Sequence, residues 1–231
     1  MLLLSMVLGL VPGFAWLVFY LSEDPHPEPK RLIVLTFFVG IAFGFFTVII
    51  EQFFNDAMGA IGVAELSALS LVCLAFIEEF MKYAAAYFAV GKSPELDEPI
   101  DAMIYMIVAA LGFATLENIG ALTNVAAAAA SGSLVATVFE TASLRFVGAT
   151  LLHSLTSAIV GYHWALGMAR KNVPHYLISG FIIATILHAT FNYLILNYAD
   201  VGYSVLFLLV VGFFVLNDFE ELKKQPAASA A

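Results

Sequence analysis

The sequence is poor in charge, poorest in basic residues, and has almost no cysteine. Only 12% of its 231 residues are charged while 62% are apolar, and the mean hydropathy is +0.95. A soluble domain carries about 25% charged and about 45–50% apolar residues, so this chain has too little polar surface to cover itself, and a water-soluble fold is excluded. Nine lysines and arginines stand against 18 aspartates and glutamates, for a formal charge of -9. With no basic patch to neutralise phosphates, a nucleic-acid partner is excluded as well. The single cysteine, Cys73, rules out an intramolecular disulfide and a multi-cysteine metal site. The apolar runs are continuous and do not alternate with polar residues, which excludes a transmembrane barrel.

What is present is a series of long apolar stretches, approximately 1–21, 32–50, 66–90, 101–130, 144–168, 176–198 and 202–217. At about 20 residues per crossing, they predict an all-α, polytopic transmembrane bundle of about seven spans, a single domain over 1–231. The Ala126–Ala130 run is expected to extend the fourth span as an interfacial end, QPAASAA is expected to be a frayed tail, and residues 22–31 a stiff linker. Lys30, Arg31, Lys92, Arg170, Lys171, Lys223 and Lys224 fall in alternate connections and the tail, whereas Glu51, Asp56, Glu140 and Asp200 occupy the others. By the positive-inside rule the N-terminus lies outside and the C-terminus in the cytoplasm. Gly40 and Gly44 form a G-x-x-x-G suited to close helix contact.

A charged residue at the bilayer centre costs about 2.5–3.5 kcal/mol on insertion scales, so such residues face a cavity or one another and mark function. The third span holds Glu78, Glu79 and Lys82, the fourth Glu117 and Asn118, the fifth Arg145 and His153, the sixth His188 and Asn192. Counted at 1.5 Å per residue from the cytoplasmic helix ends, Glu78, Glu79, Glu117, His153 and His188 all lie about 17–24 Å deep. Four helices of alternating direction thus bring their ionisable groups to nearly one level. The i,i+4 spacing predicts a Glu78–Lys82 pair with Glu79 turned elsewhere, and sets His188 and Asn192 on one face.

Three carboxylates and two imidazoles suit hydrolysis. A glutamate takes a proton from water, and imidazole and amide groups hold the resulting oxyanion or protonate the leaving amine. Other intramembrane designs fit worse. All six aspartates lie in loops or at helix ends, and no H-E-x-x-H occurs. A His153/Ser157 dyad is allowed by spacing, but a serine in a membrane helix more often bonds its own backbone.

E78-E79-x-x-K82, G112-F113-A114-x-x-E117-N118, R145 with H153, and H188-x-x-x-N192, in that order, resemble the PrsW family of intramembrane proteases, part of a wider superfamily with the CAAX prenyl endopeptidases. The resemblance implies a peptidase of a bacterial or archaeal plasma membrane, centred on Glu78, Glu79, Glu117, His153 and His188, with Lys82, Asn118, Arg145 and Asn192 in support. It implies cleavage of membrane-anchored proteins such as anti-sigma factors. Whether Zn²⁺ takes part stays open; Glu117, His153 and His188 are the candidate ligands, leaving one position for water. Two other readings use the same polar network. One is a non-catalytic scaffold, a role that this superfamily's resemblance to a gamma-secretase scaffold subunit allows. The other is a proton-coupled transporter.

Overall fold

The computed structural model describes residues 2–128, 134–198 and 200–224. The described residues form eight α-helices and no strand: α1 (Leu2–Leu21), α2 (Lys30–Ala60), α3 (Ala68–Val90), α4 (Pro99–Ala128), α5 (Leu134–Val147), α6 (Ala149–Ala169), α7 (Val173–Asn197) and α8 (Val201–Leu222). Among them, six stretches are long and apolar enough to cross a membrane: Leu3–Leu21, Lys30–Ala60, Pro99–Ala128, Leu134–Ala169, Val173–Asn197 and Val201–Leu222. α3 has the length, at 23 residues, but carries Glu78, Glu79 and Lys82. The fold is an all-α polytopic bundle.

α4 is the axis. Every residue from Ile100 to Thr115 is buried, and the helix packs against α1, α2, α3, α5, α6 and α8. A helix that is apolar all round belongs in a core, and the small residues of this one let its neighbours approach closely. A Cβ on Gly112 would stand 2.0 Å from the Phe37 carbonyl oxygen, and one on Gly40 would stand 2.1 Å from that of Ala109. α2 and α4 therefore touch backbone to backbone, with Gly44 against Phe113 one turn on, which is the close contact expected of G-x-x-x-G.

Two boundaries differ from the sequence expectation. α2 runs ten residues past position 50, placing Glu51 and Asp56 on a helix. The segment contains no proline, and Gln52 donates to Asp56 across one turn at 2.9 Å. The helix stops before Gly62, whose φ is +80°. The expected connection before position 144 instead contains α5, which buries Val138 and Ala142 against Leu122 of α4. α5 and α6 are one apolar stretch broken at Gly148, where φ is -108° and ψ is -96°. The Ala126–Ala130 extension is helical to Ala128; residues 129–130 and the QPAASAA tail lie outside the described residues.

Candidate active site

Four helices converge on one buried group. Glu79 and Lys82 of α3 are fully buried and paired, Nζ to Oε1, at 2.7 Å. The same Glu79 oxygen accepts from Thr156 Oγ1 of α6 at 2.9 Å and from His188 Nδ1 of α7 at 2.7 Å. Lys82 thus pairs with Glu79 at i,i+3 and not, as the spacing predicted, with Glu78 at i,i+4. Both spacings are neighbours on a helix; here Thr156 and His188 bond the same Glu79 oxygen that Lys82 holds and decide between them.

Lys82 also donates from Nζ to His153 Nδ1 at 2.9 Å. An ammonium has no lone pair, so Nδ1 is the acceptor and the ring proton sits on Nε2, which donates to Glu117 Oε2 at 2.9 Å. Glu117, the most accessible of the three glutamates at 27%, is held a second time by Arg145 at 3.3 Å. Arg145 donates from Nε to Asn118 Oδ1 at 2.5 Å, and Asn118 donates in turn to Thr150 Oγ1 at 2.9 Å. The arginine is thereby tied into the network rather than standing alone at the membrane edge. Asn192 is half-buried and makes none of the cluster's hydrogen bonds, and Ser157 has no hydrogen-bond partner among the described residues, which leaves no serine–histidine dyad.

Glu78 is placed differently. Its Oε2 is buried without a hydrogen-bond partner among the described residues, 3.7 Å from His153 Nδ1 and 3.6 Å from His188 Nε2. Among the described residues Glu78, His153 and His188 form the one group of three donors compact enough to hold a metal ion. The sequence expectation had Glu117 in place of Glu78. The donor chemistry fits a divalent metal once Lys82 gives up His153 Nδ1 and keeps Glu79: a ligating histidine typically passes its other N–H to a carboxylate, and His188 does so to Glu79 while His153 does so to Glu117.

One participant was missed in the sequence. Thr156 follows His153 by three residues and so shares its face, a signal that spacing contained.

Residues 28–217 match the family described as PrsW family intramembrane metalloprotease. The chain belongs to the PrsW family. It is 32% identical over 218 residues to the Protease PrsW of Geobacillus kaustophilus, covering 93% of this chain and 90% of that one. It is 27% identical over 210 residues to the Protease PrsW of Bacillus subtilis, covering 87% of each. Identity to the Protease PrsW of Clostridioides difficile is 22% over 205 residues, covering 88% of this chain and 83% of the other. No solved structure matches. This PrsW-family member is an intramembrane peptidase of the bacterial plasma membrane, and the non-catalytic scaffold reading is not favoured.

Proposed function

We propose that the chain, acting as one domain with its N-terminus outside and its C-terminus in the cytoplasm, hydrolyses a peptide bond of membrane-anchored single-span proteins of the anti-sigma-factor kind. The observation that carries this reading is the disposition of the two histidines. Each gives its far nitrogen to a carboxylate, and each has its near nitrogen within 3.7 Å of a Glu78 oxygen that has no hydrogen-bond partner among the described residues; that of His153 accepts from Lys82, whose ammonium would turn to Glu79 alone when a metal binds. Glu78, His153 and His188 would hold Zn²⁺, which would supply Lewis-acid polarisation of the scissile carbonyl and activation of water.

The chain's own residues prepare the rest. Glu117 and Glu79 fix the tautomers and ring orientations of His153 and His188. Lys82 keeps the Glu79 carboxylate compensated in the apolar interior, and Thr156 holds the same oxygen. Glu79 Oε2 has no hydrogen-bond partner among the described residues; fully buried, it would take the proton of a water admitted to the site with the substrate and pass it toward the leaving amine. The Glu-Glu, His and His/Asn pattern supports placing the family beside the CAAX prenyl endopeptidases.

The test is cleavage of reconstituted single-span substrates by the full chain. Glu78→Gln, Glu79→Gln, His153→Ala and His188→Ala should each abolish product while the protein still purifies as a folded species. Full turnover by all four variants would refute the mechanism.

A further inference from the structure

The helix faces that carry the two histidines continue past them into a pocket. On α6, Ala149 stands one turn before His153; on α7, Phe191 and Ile195 stand one and two turns after His188, on its face. α6 and α7 are neighbours joined through residues 170–172, so both steps lead the same way, away from that connection. These three residues, with Arg145 at the end of α5 and Ser204 and Leu208 of α8, line a pocket of about 340 Å³. The helical pitch sets its near wall about 5.4 Å beyond the histidines. Arg145 joins the pocket to the reacting group, because it donates to the same Glu117 oxygen that accepts from His153.

Size and chemistry select the occupant. Ligand pockets run about 300–1,000 Å³, so one of about 340 Å³ takes a single side chain with its stretch of backbone and has no room for a helix. Among the described residues no acid lines it, and its one charge is the Arg145 guanidinium. An apolar side chain is therefore favoured, and a lysine or arginine repelled. Phe191, Ser204 and Leu208 are buried at its floor while Ile195 is exposed at its rim, so it opens on the apolar outer surface, where a membrane-anchored chain arrives. Arg145 uses two of its five N–H donors on Asn118 and Glu117. Those left over suit a peptide carbonyl, which a hydrocarbon chain lacks.

Building on the peptidase reading, we propose that this pocket receives one apolar side chain, of leucine or phenylalanine size, from the substrate residue beside the cleaved bond. The pocket thereby sets which bond is cut. Consecutive residues are about 3.8 Å apart, so the side chain of the neighbouring residue covers the one-turn offset between the histidines and the pocket.

Reconstituted full-length protein should cleave a single-span peptide, varied position by position, with one sensitive position next to the bond. There leucine should exceed alanine about tenfold in kcat/KM, and lysine should stop turnover. Leu208→Ala, which deepens the floor, should move the preference at that position from leucine to phenylalanine or tryptophan; Val205→Phe, which narrows the pocket, should move it to alanine. A loss of stability would lower every substrate alike, whereas only the pocket reverses their order. Equal turnover of the alanine, leucine and lysine peptides by the parent, or an unchanged order in both folded variants, would overturn the proposal. The second measurement needs no turnover. A p-benzoylphenylalanine placed in turn at each position of the peptide should cross-link to the pocket residues of α7 and α8 from one position, and Val205→Phe should abolish that adduct. Cross-links only elsewhere on the bundle, or only to lipid, would overturn the proposal. The expected adduct in a protein that cleaves nothing would remove the peptidase reading and keep the pocket as a site for an apolar side chain.

Discussion

Lys82 and His153, 71 residues apart in sequence, share a buried hydrogen bond of 2.9 Å from Nζ to Nδ1. Because the ammonium can only donate, it selects the histidine tautomer and directs the remaining ring proton to Glu117. One lysine therefore serves two carboxylates: Glu79 by direct pairing and Glu117 through the imidazole.

Replacing Lys82 by methionine leaves Glu79 as an uncompensated charge with no solvent access. Losing one partner of a buried pair costs about 3–5 kcal/mol, which thermal unfolding in detergent should register as a large fall in midpoint. Adding Glu79→Gln to Lys82→Met should recover much of that stability and none of the cleavage. If the double variant is no more stable than the single one, the pair is not the buried unit described.

Zinc content separates the two donor sets. Elemental analysis of purified protein should find zinc lost in Glu78→Gln, His153→Ala and His188→Ala. Glu117→Gln should keep the metal with affinity weakened about 10–100-fold, the usual effect of losing a carboxylate behind a histidine ligand. A chelator should stop cleavage by the parent protein, and added zinc should restore it. Full zinc in Glu78→Gln would return Glu117 to the ligand set.

The α2–α4 contact makes a steric prediction. At Gly112 and Gly40 the atoms that a Cβ would meet first are backbone oxygens, which cannot swing aside. Gly112→Leu or Gly40→Leu should cost about 1–3 kcal/mol or more and reduce cleavage by moving Glu117. Gly120→Ala, with nothing within 4 Å of the added carbon, should change neither melting nor activity.

The polar core was legible in the sequence because a charge within an apolar run is costly wherever it sits, so Glu78, Glu79, Lys82, Glu117 and the two histidines stood out one by one. The choice of Glu79 over Glu78 as the partner of Lys82 was not, because one helix offers both spacings and only α6 and α7 decide. Thr156 was hidden for a different reason. Threonines in these helices commonly return their hydroxyl to the preceding turn, as Thr115, Thr123 and Thr141 do, and only the packing shows that Thr156 also reaches Glu79. The break at Gly148 left no mark either, since glycine is frequent within membrane helices.

Acid should stabilise the loop before α2. Burial raises the Asp24 carboxyl above its ordinary 3.8, with Glu98 adding to the effect, and burial likewise raises Glu28 above 4.5, against the pull of the Tyr105 hydroxyl. The folded state then binds these protons more tightly than the unfolded chain. Their contribution is present below the ordinary values and is lost as pH rises through the raised ones. Asp24→Asn and Glu28→Gln should accordingly melt higher than the parent at neutral pH and level with it under acid conditions. Variants that melt lower at neutral pH would reverse the sign.

α4 meets lipid on none of its sides between Ile100 and Thr115, and its most extensive neighbour, α6, follows it in the chain. During synthesis the ribosome therefore delivers the axis of the bundle before the helix that encloses it. Until α6 arrives with His153 and Thr150, the carboxylate of Glu117 and the amide of Asn118 lack their final partners, so the polar end of the axis is completed only when the second half of the protein has been made.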